Sequence, residues 1–283
     1  MSALPCFTDR PTGFNVRRDL PRSATAARNV RWTAGMNRRR GRPLIEFVLA
    51  IARSRQRQLL ILLAAQSTLI VLLSINRLSP LTDGFVASNQ FLRWVDLLNL
   101  LLSLASVVLT YLLLRAVRQG LQPARAIADR VFDAAFAVGA WLYAAGYGDH
   151  ETTNYLHERF CPTTAADLCR IIAFHDDTFS HLLFFAGFII LAIVVMAAQT
   201  TYPDPRPLGI TDHISVLVNG LISAAGVVAN LAFEDIGLDL YVVAVVAATA
   251  ITLLILRPTQ VILRYYTIAF VAGLLVTGAI KAT

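Results

Sequence analysis

Seven long apolar runs separated by short polar connectors constrain this chain more than any other feature. They fall at about 57–75, 96–117, 131–148, 181–199, 214–233, 238–256 and 261–280. Each approaches the roughly 20 apolar residues that a helix needs to cross the hydrocarbon of a bilayer. Backbone polar groups in that layer must be satisfied within the segment, so every run is expected to be a helix. Only 15% of residues are charged against 56% apolar, where a soluble domain would carry about a quarter charged. The expected fold is therefore an all-α, polytopic transmembrane bundle of about seven spans over 44–283. Proline marks its interruptions, since proline cannot continue a helix and restricts the residue before it. Pro80 follows the first span, and Pro203, Pro205 and Pro207 follow the fourth.

Residues 1–43 are polar, Arg-rich and without apolar periodicity, and they lack the apolar core of a signal peptide. They are expected to form a basic, disordered cytoplasmic arm, or for 1–35 to precede an alternative start at Met36. Residues 44–56 read as a short amphipathic helix leading into the first span. The net charge of +7 sits in this arm and in short connectors, which points to orientation and lipid headgroups rather than nucleic acid. Arg115, Arg118, Arg125 and Arg130 lie in one connector, and Arg257 and Arg264 flank another. All fall on the side of the N-terminus, so the N-terminus is expected to be cytoplasmic by the positive-inside rule. The loops 76–95, 149–180 and 234–237 then face outward, in a plasma (inner) membrane. Membrane lipids are the expected partners, and nucleic acid is not.

The stretch 148–187 stands apart. It holds four of the five histidines, His150, His157, His175 and His181, with Glu151, Glu158, Asp176 and Asp177. Cys161 and Cys169 lie eight residues apart within it, and an oxidising compartment would allow them to pair. His213 falls on the opposite side, away from the others, and Cys6 lies in the arm. Helical spacing brings further residues to the same depth. Asp96 opens the second span, Asn230 and Glu234 close the fifth, and Glu151, Asn154 and His157 share a face if the third helix continues past Gly148. Asp177 and His181 form an i,i+4 pair on adjacent turns. Buried ionisable residues at membrane depth are costly and tend to face the bundle interior.

Imidazole nitrogen and carboxylate oxygen suit zinc or another divalent cation, and a catalytic site needs about three protein ligands and an open position. The expected metal ligands are His157, His181 and Asp177. Glu151, Asp177 and Glu234 are the candidate catalytic carboxylates, and Asn154, Asn230 and Asp96 the candidate substrate-binding groups. HExxH and Cys-x-x-Cys are both absent. Phe184, Phe185 and Phe188 read as facing lipid or core.

Asp177, Ser180 and His181 together resemble the Ser/Asp/His set of the membrane hydrolases that include alkaline ceramidases and adiponectin-receptor-like proteins. That family carries a His-x-x-x-His pair in its last span, and here the last span has no histidine. A microbial rhodopsin would place a lysine mid-way along its last span, whereas Lys281, the only lysine, lies at its end. Three functions follow as expectations: a metal-dependent hydrolase of a lipid or lipid-linked substrate, a proton- or cation-coupled transporter, and a non-enzymatic membrane scaffold.

Overall fold

The computed structural model describes residues 41–119, 125–163, 166–233 and 237–282. The arm 1–43 lies outside them except for its last three residues, which open the first helix. The order is α1 (Gly41–Leu78), α2 (Trp94–Arg118), α3 (Ala126–Phe160), α4 (Asp167–Phe174), α5 (Ser180–Thr201), α6 (Ile210–Phe233), α7 (Gly237–Leu256) and α8 (Val261–Ala282). A π-helical turn, His175–Phe179, joins α4 to α5. Among the described residues there is no strand, only an isolated bridge between Phe85 and Arg93. The all-helical, membrane-type bundle expected from the sequence is borne out.

Six stretches have the length and apolarity of a span: 55–78, 94–118, 167–201, 210–229, 238–256 and 261–282. The expected third span, 131–148, lies in α3 and is not among them. The short amphipathic helix at 44–56 is not a separate element, because α1 runs through it without a break. The expected loop at 149–180 is mostly helical. At 35 residues α3 extends about 52 Å, well beyond the roughly 30 Å of hydrocarbon. The stretch 167–201 has the same length. The two helices therefore run on together past the apolar layer as a helical hairpin.

α3 packs most extensively on α5, and α6 on α8. The α3–α5 seam closes through glycine. A Cβ on Gly146 would lie 2.4 Å from the Phe184 nitrogen, and one on Gly187 would lie 2.3 Å from the Tyr143 nitrogen. Small residues at such crossings let backbones approach where lipid supplies no hydrophobic drive.

The two ends of the bundle differ in what fills them. Toward the start of α1 the core is apolar, with Leu59, Leu63, Leu113, Val195, Met196 and Ile262 fully buried. Arg55 seals that end. Its Nε donates to the Ala116 carbonyl at 3.2 Å, and its Nη2 donates to the carbonyls of Val117 and Tyr202, the latter at 2.7 Å. These are helix-terminal carbonyls with no partner further along their own helices, so one cation satisfies the ends of α2 and α5. A hydrogen bond to a charged group contributes about 1.5–3 kcal/mol. Arg55→Met is expected to lower stability by about 3 kcal/mol, read as thermal unfolding in detergent, with Arg55→Lys recovering part of it. A melting point unmoved in Arg55→Met would contradict this account.

Candidate functional site

The opposite end is built around the α3–α5 hairpin. Cys161 ends α3 with its N–H on the His157 carbonyl at 3.0 Å. It pairs with Cys169 of α4, as expected, across a Cα–Cα distance of 5.4 Å. The disulfide pins the turn and aligns the facing surfaces of the two helices. Three histidine–carboxylate contacts then cross the seam. His157 Nδ1 lies 2.9 Å from Asp176 Oδ2, His150 Nδ1 lies 3.1 Å from Asp176 Oδ1, and His175 Nδ1 lies 3.1 Å from Asp149 Oδ2. The His150 contact is an ion-pair distance rather than an aligned hydrogen bond, and the same nitrogen lies within hydrogen-bond reach of the Asp176 backbone carbonyl at 3.3 Å.

The π-helical turn explains why Asp176 is central. One extra residue in the turn rotates the following segment against the α-helical register, and such turns recur at functional sites. Asp176 is thereby only 3% exposed, wedged between two imidazoles, while Asp177 beside it is exposed. Ser180 donates to the Asp176 carbonyl at 2.7 Å.

His157, Asp176 and Asp177 each offer a ligand atom, all within 4.8 Å of one another. One imidazole and two carboxylates form a donor set that suits zinc, manganese or a harder divalent ion. The group can therefore hold a metal ion. His150 stands behind it as a second contact to Asp176, the kind of outer partner that orients metal-binding carboxylates.

A cavity of about 240 Å³ opens among the helices next to this group. Its wall is mostly apolar, and aromatic rings such as Tyr143, Tyr147, Phe184, Phe185, Phe188 and Phe270 form part of it. Tyr143 and Phe184 pack with ring centroids 4.8 Å apart. Titratable side chains gather at the hairpin end of the cavity: Arg77, His150, Glu151, His181 and Asp239. His150 links the two features. It lines the cavity, packs edge-on against His181 at 4.8 Å, and holds Asp176.

No protein-family model, curated protein or solved structure matches the chain.

Most of the residues singled out in the sequence can be placed. His157 and Asp177 come together, but the third member of their group is Asp176, and His181 turns to the cavity instead. Glu151 is buried and faces the cavity, with both carboxylate oxygens on Asn99 Nδ2 at 3.1 and 3.2 Å. Asp96 and Asn154 converge on Arg93, at 2.8 and 2.9 Å from its Nη2, and Glu158 joins them. Burial works against the Arg93 charge, yet Asp96 and Glu158 outweigh it and raise its pKa above the ordinary arginine value. The side chain of Asn230 and all of Glu234 lie outside the described residues. Phe184, Phe185 and Phe188 line the cavity rather than facing only lipid or core. His213 sits apart, 2.8 Å from Arg264. Sequence reasoning missed Asp176, Arg93 and the linking role of His150. Asp176 could have been found only by letting the turn depart from α-helical spacing.

Proposed function

We propose that the chain is a membrane-embedded, cation-dependent hydrolase acting on a lipid-like amphipathic substrate. The observation that carries this reading is a cavity with a mostly apolar wall and one titratable end, joined through His150 to a His/Asp/Asp group. The apolar part of the substrate lies along Tyr143, Phe184 and Phe188, where burial of apolar surface contributes about 25 cal/mol per Å². Its polar end lies toward His150, His181 and Glu151. His157, Asp176 and Asp177, just beyond His150, would hold a divalent cation, which would supply Lewis-acid activation of water when bound. His150 fixes the Asp176 carboxylate, Glu151 takes up and returns the proton, and the apolar wall keeps bulk water out. The arginines at the Arg55 end support a cytoplasmic placement for that end, and so an extracytoplasmic site in a plasma membrane, with membrane lipids as the source of substrate.

The test uses full-length protein in nanodiscs of mixed phospholipid and sphingolipid. Stoichiometric uptake of Zn²⁺ or Mn²⁺ is expected, together with cation-dependent cleavage products by mass spectrometry that are lost in His157→Ala. Absence of any bound cation in the wild type would sink the reading.

One observation favours a carrier instead. Ser67, Ser223 and Tyr265 form a buried hydroxyl chain, at 3.1 and 2.6 Å, which continues polarity toward mid-bundle. A carrier predicts ion flux in proteoliposomes that disappears in Glu151→Gln, whereas the hydrolase predicts no such flux.

A further inference from the structure

A buried chain of two amides ends on the Glu151 carboxylate. Asn76, in the last turn of α1, donates through Nδ2 to the Val95 carbonyl at 2.9 Å and to Asn99 Oδ1 at 2.7 Å. Asn99, in α2, donates in turn to both oxygens of Glu151 in α3. All three side chains are buried, at 5%, 5% and 6% exposure. The order of the chain matters. An amide beside a carboxylate can turn either its N–H₂ or its oxygen toward it, and the wrong choice leaves two acceptors face to face. Here Asn76 occupies Asn99 Oδ1, so only the donor end of Asn99 is left for Glu151.

We infer that Asn99, locked by Asn76, is a positioning residue for Glu151, holding it against the cavity as the group that accepts the ligand's proton. This rests on the reading that the cavity takes the reacting molecule. The amide cluster at the other end of the bundle makes the contrast. Gln199 donates to Gln260 at 2.9 Å, and Gln260 accepts from the Asp204 backbone at 2.8 Å and donates to its carbonyl at 3.2 Å. That cluster ties backbone to backbone and contains no carboxylate side chain in those bonds. A purely structural pin needs nothing more. The hairpin-end chain instead delivers its last donor to a carboxylate on the cavity wall. The charged groups that act on Glu151 are His150 on its own helix, Arg77 on α1 and Asp96 on α2. Asp96 is already engaged by Arg93 at 2.8 Å, so Asn99 is the direct donor among the groups described.

The test is infrared titration of the carboxyl band in the purified full-length protein, with Glu151→Gln assigning the band by its loss. A donor to the ionised form lowers proton affinity. Asn99→Leu is therefore expected to raise the proton affinity of Glu151 about tenfold or more, the worth of one hydrogen bond to a charged group. Asn76→Ala is expected to move it in the same direction by less, because the Asn99 amide is then free to turn. Where Asn99→Leu does not fold, Asn76→Ala carries the test alone. An unmoved titration midpoint in the folded variants, or no titrating band lost in Glu151→Gln, overturns the proposal. The readout needs neither cation nor substrate. A shifted midpoint without cation binding overturns only the hydrolase, and cation binding with an unmoved midpoint overturns only the positioning role.

Discussion

Asp176→Ala is expected to abolish divalent-cation binding, with affinity falling more than about 100-fold, since even outer-shell partners of a metal ligand are worth 10–100-fold. The carboxylate lies between the two imidazoles that join the cavity to the His/Asp/Asp group. It lies 2.9 Å from His157 and 3.1 Å from His150, and with Asp177 it supplies two of the three ligand atoms of the group. Its removal leaves the part-buried His157 imidazole without its acceptor and His150 without its ion-pair partner, which adds a stability loss of about 1–3 kcal/mol. Asp176→Asn separates the two effects. It keeps the shape and an acceptor oxygen, so it is expected to retain most of the stability and still lose the cation. Calorimetric titration with Mn²⁺, run beside thermal unfolding, reads both. Wild-type affinity in the alanine variant would mean that the cation is held elsewhere.

Gly146→Leu is expected to leave almost no monodisperse protein. The first atom of the new side chain would lie 2.4 Å from the Phe184 nitrogen and 2.6 Å from the Ser180 carbonyl oxygen. Both obstacles are backbone, which cannot rotate away as a side chain can, so α3 and α5 would have to separate. Overpacking ordinarily costs about 1–3 kcal/mol, and a backbone obstacle places this variant above that range. The seam also carries the His–Asp contacts, so even partial separation would pull Asp176 from His150 and His157. Gly148→Ala is the internal control, because a Cβ there would meet nothing within 4 Å. It is expected to be neutral or slightly stabilising, given alanine's advantage of up to about 1 kcal/mol over glycine in a helix. Size-exclusion profiles and melting points of the two variants would distinguish a local steric block from a general intolerance of α3 to substitution.

Much of the architecture was legible in residue order. The apolar runs located the spans, Pro80 and the prolines of 203–207 marked helix ends, and the spacing of Cys161 and Cys169 matched a bridge. The segment around His150 and His157 was recognisable as the chemical end of the molecule. What residue order left open depended on departures from uniform geometry. Pairing Asp177 with His181 as ligands presumed an unbroken α-helix, but the π-helical turn at His175–Phe179 buries Asp176 and leaves Asp177 exposed. Asp96 and Asn154 read as groups waiting for a substrate because Arg93, in a connector, offered no periodic signal of where it would point. Phe184 and Phe188 read as lipid- or core-facing because an aromatic residue in an apolar span looks the same whichever way its helix is turned.

The sequence by itself determined that the chain is a helical membrane bundle, where its helices lie, and which segment gathers the histidines and acids. Those properties depend on length, hydropathy and local breakers, which act within one helix at a time. Only the tertiary structure decided that Asp176 sits between His150 and His157, that Asn76 and Asn99 reach Glu151, and that a mostly apolar cavity opens beside them. Each of those facts depends on the rotation of one helix about its axis relative to another. That rotation is set by the glycine crossing of α3 and α5, by the disulfide at their tip and by one extra residue in a turn. Contacts of that kind join residues 19 to 52 positions apart, beyond the reach of any helical period.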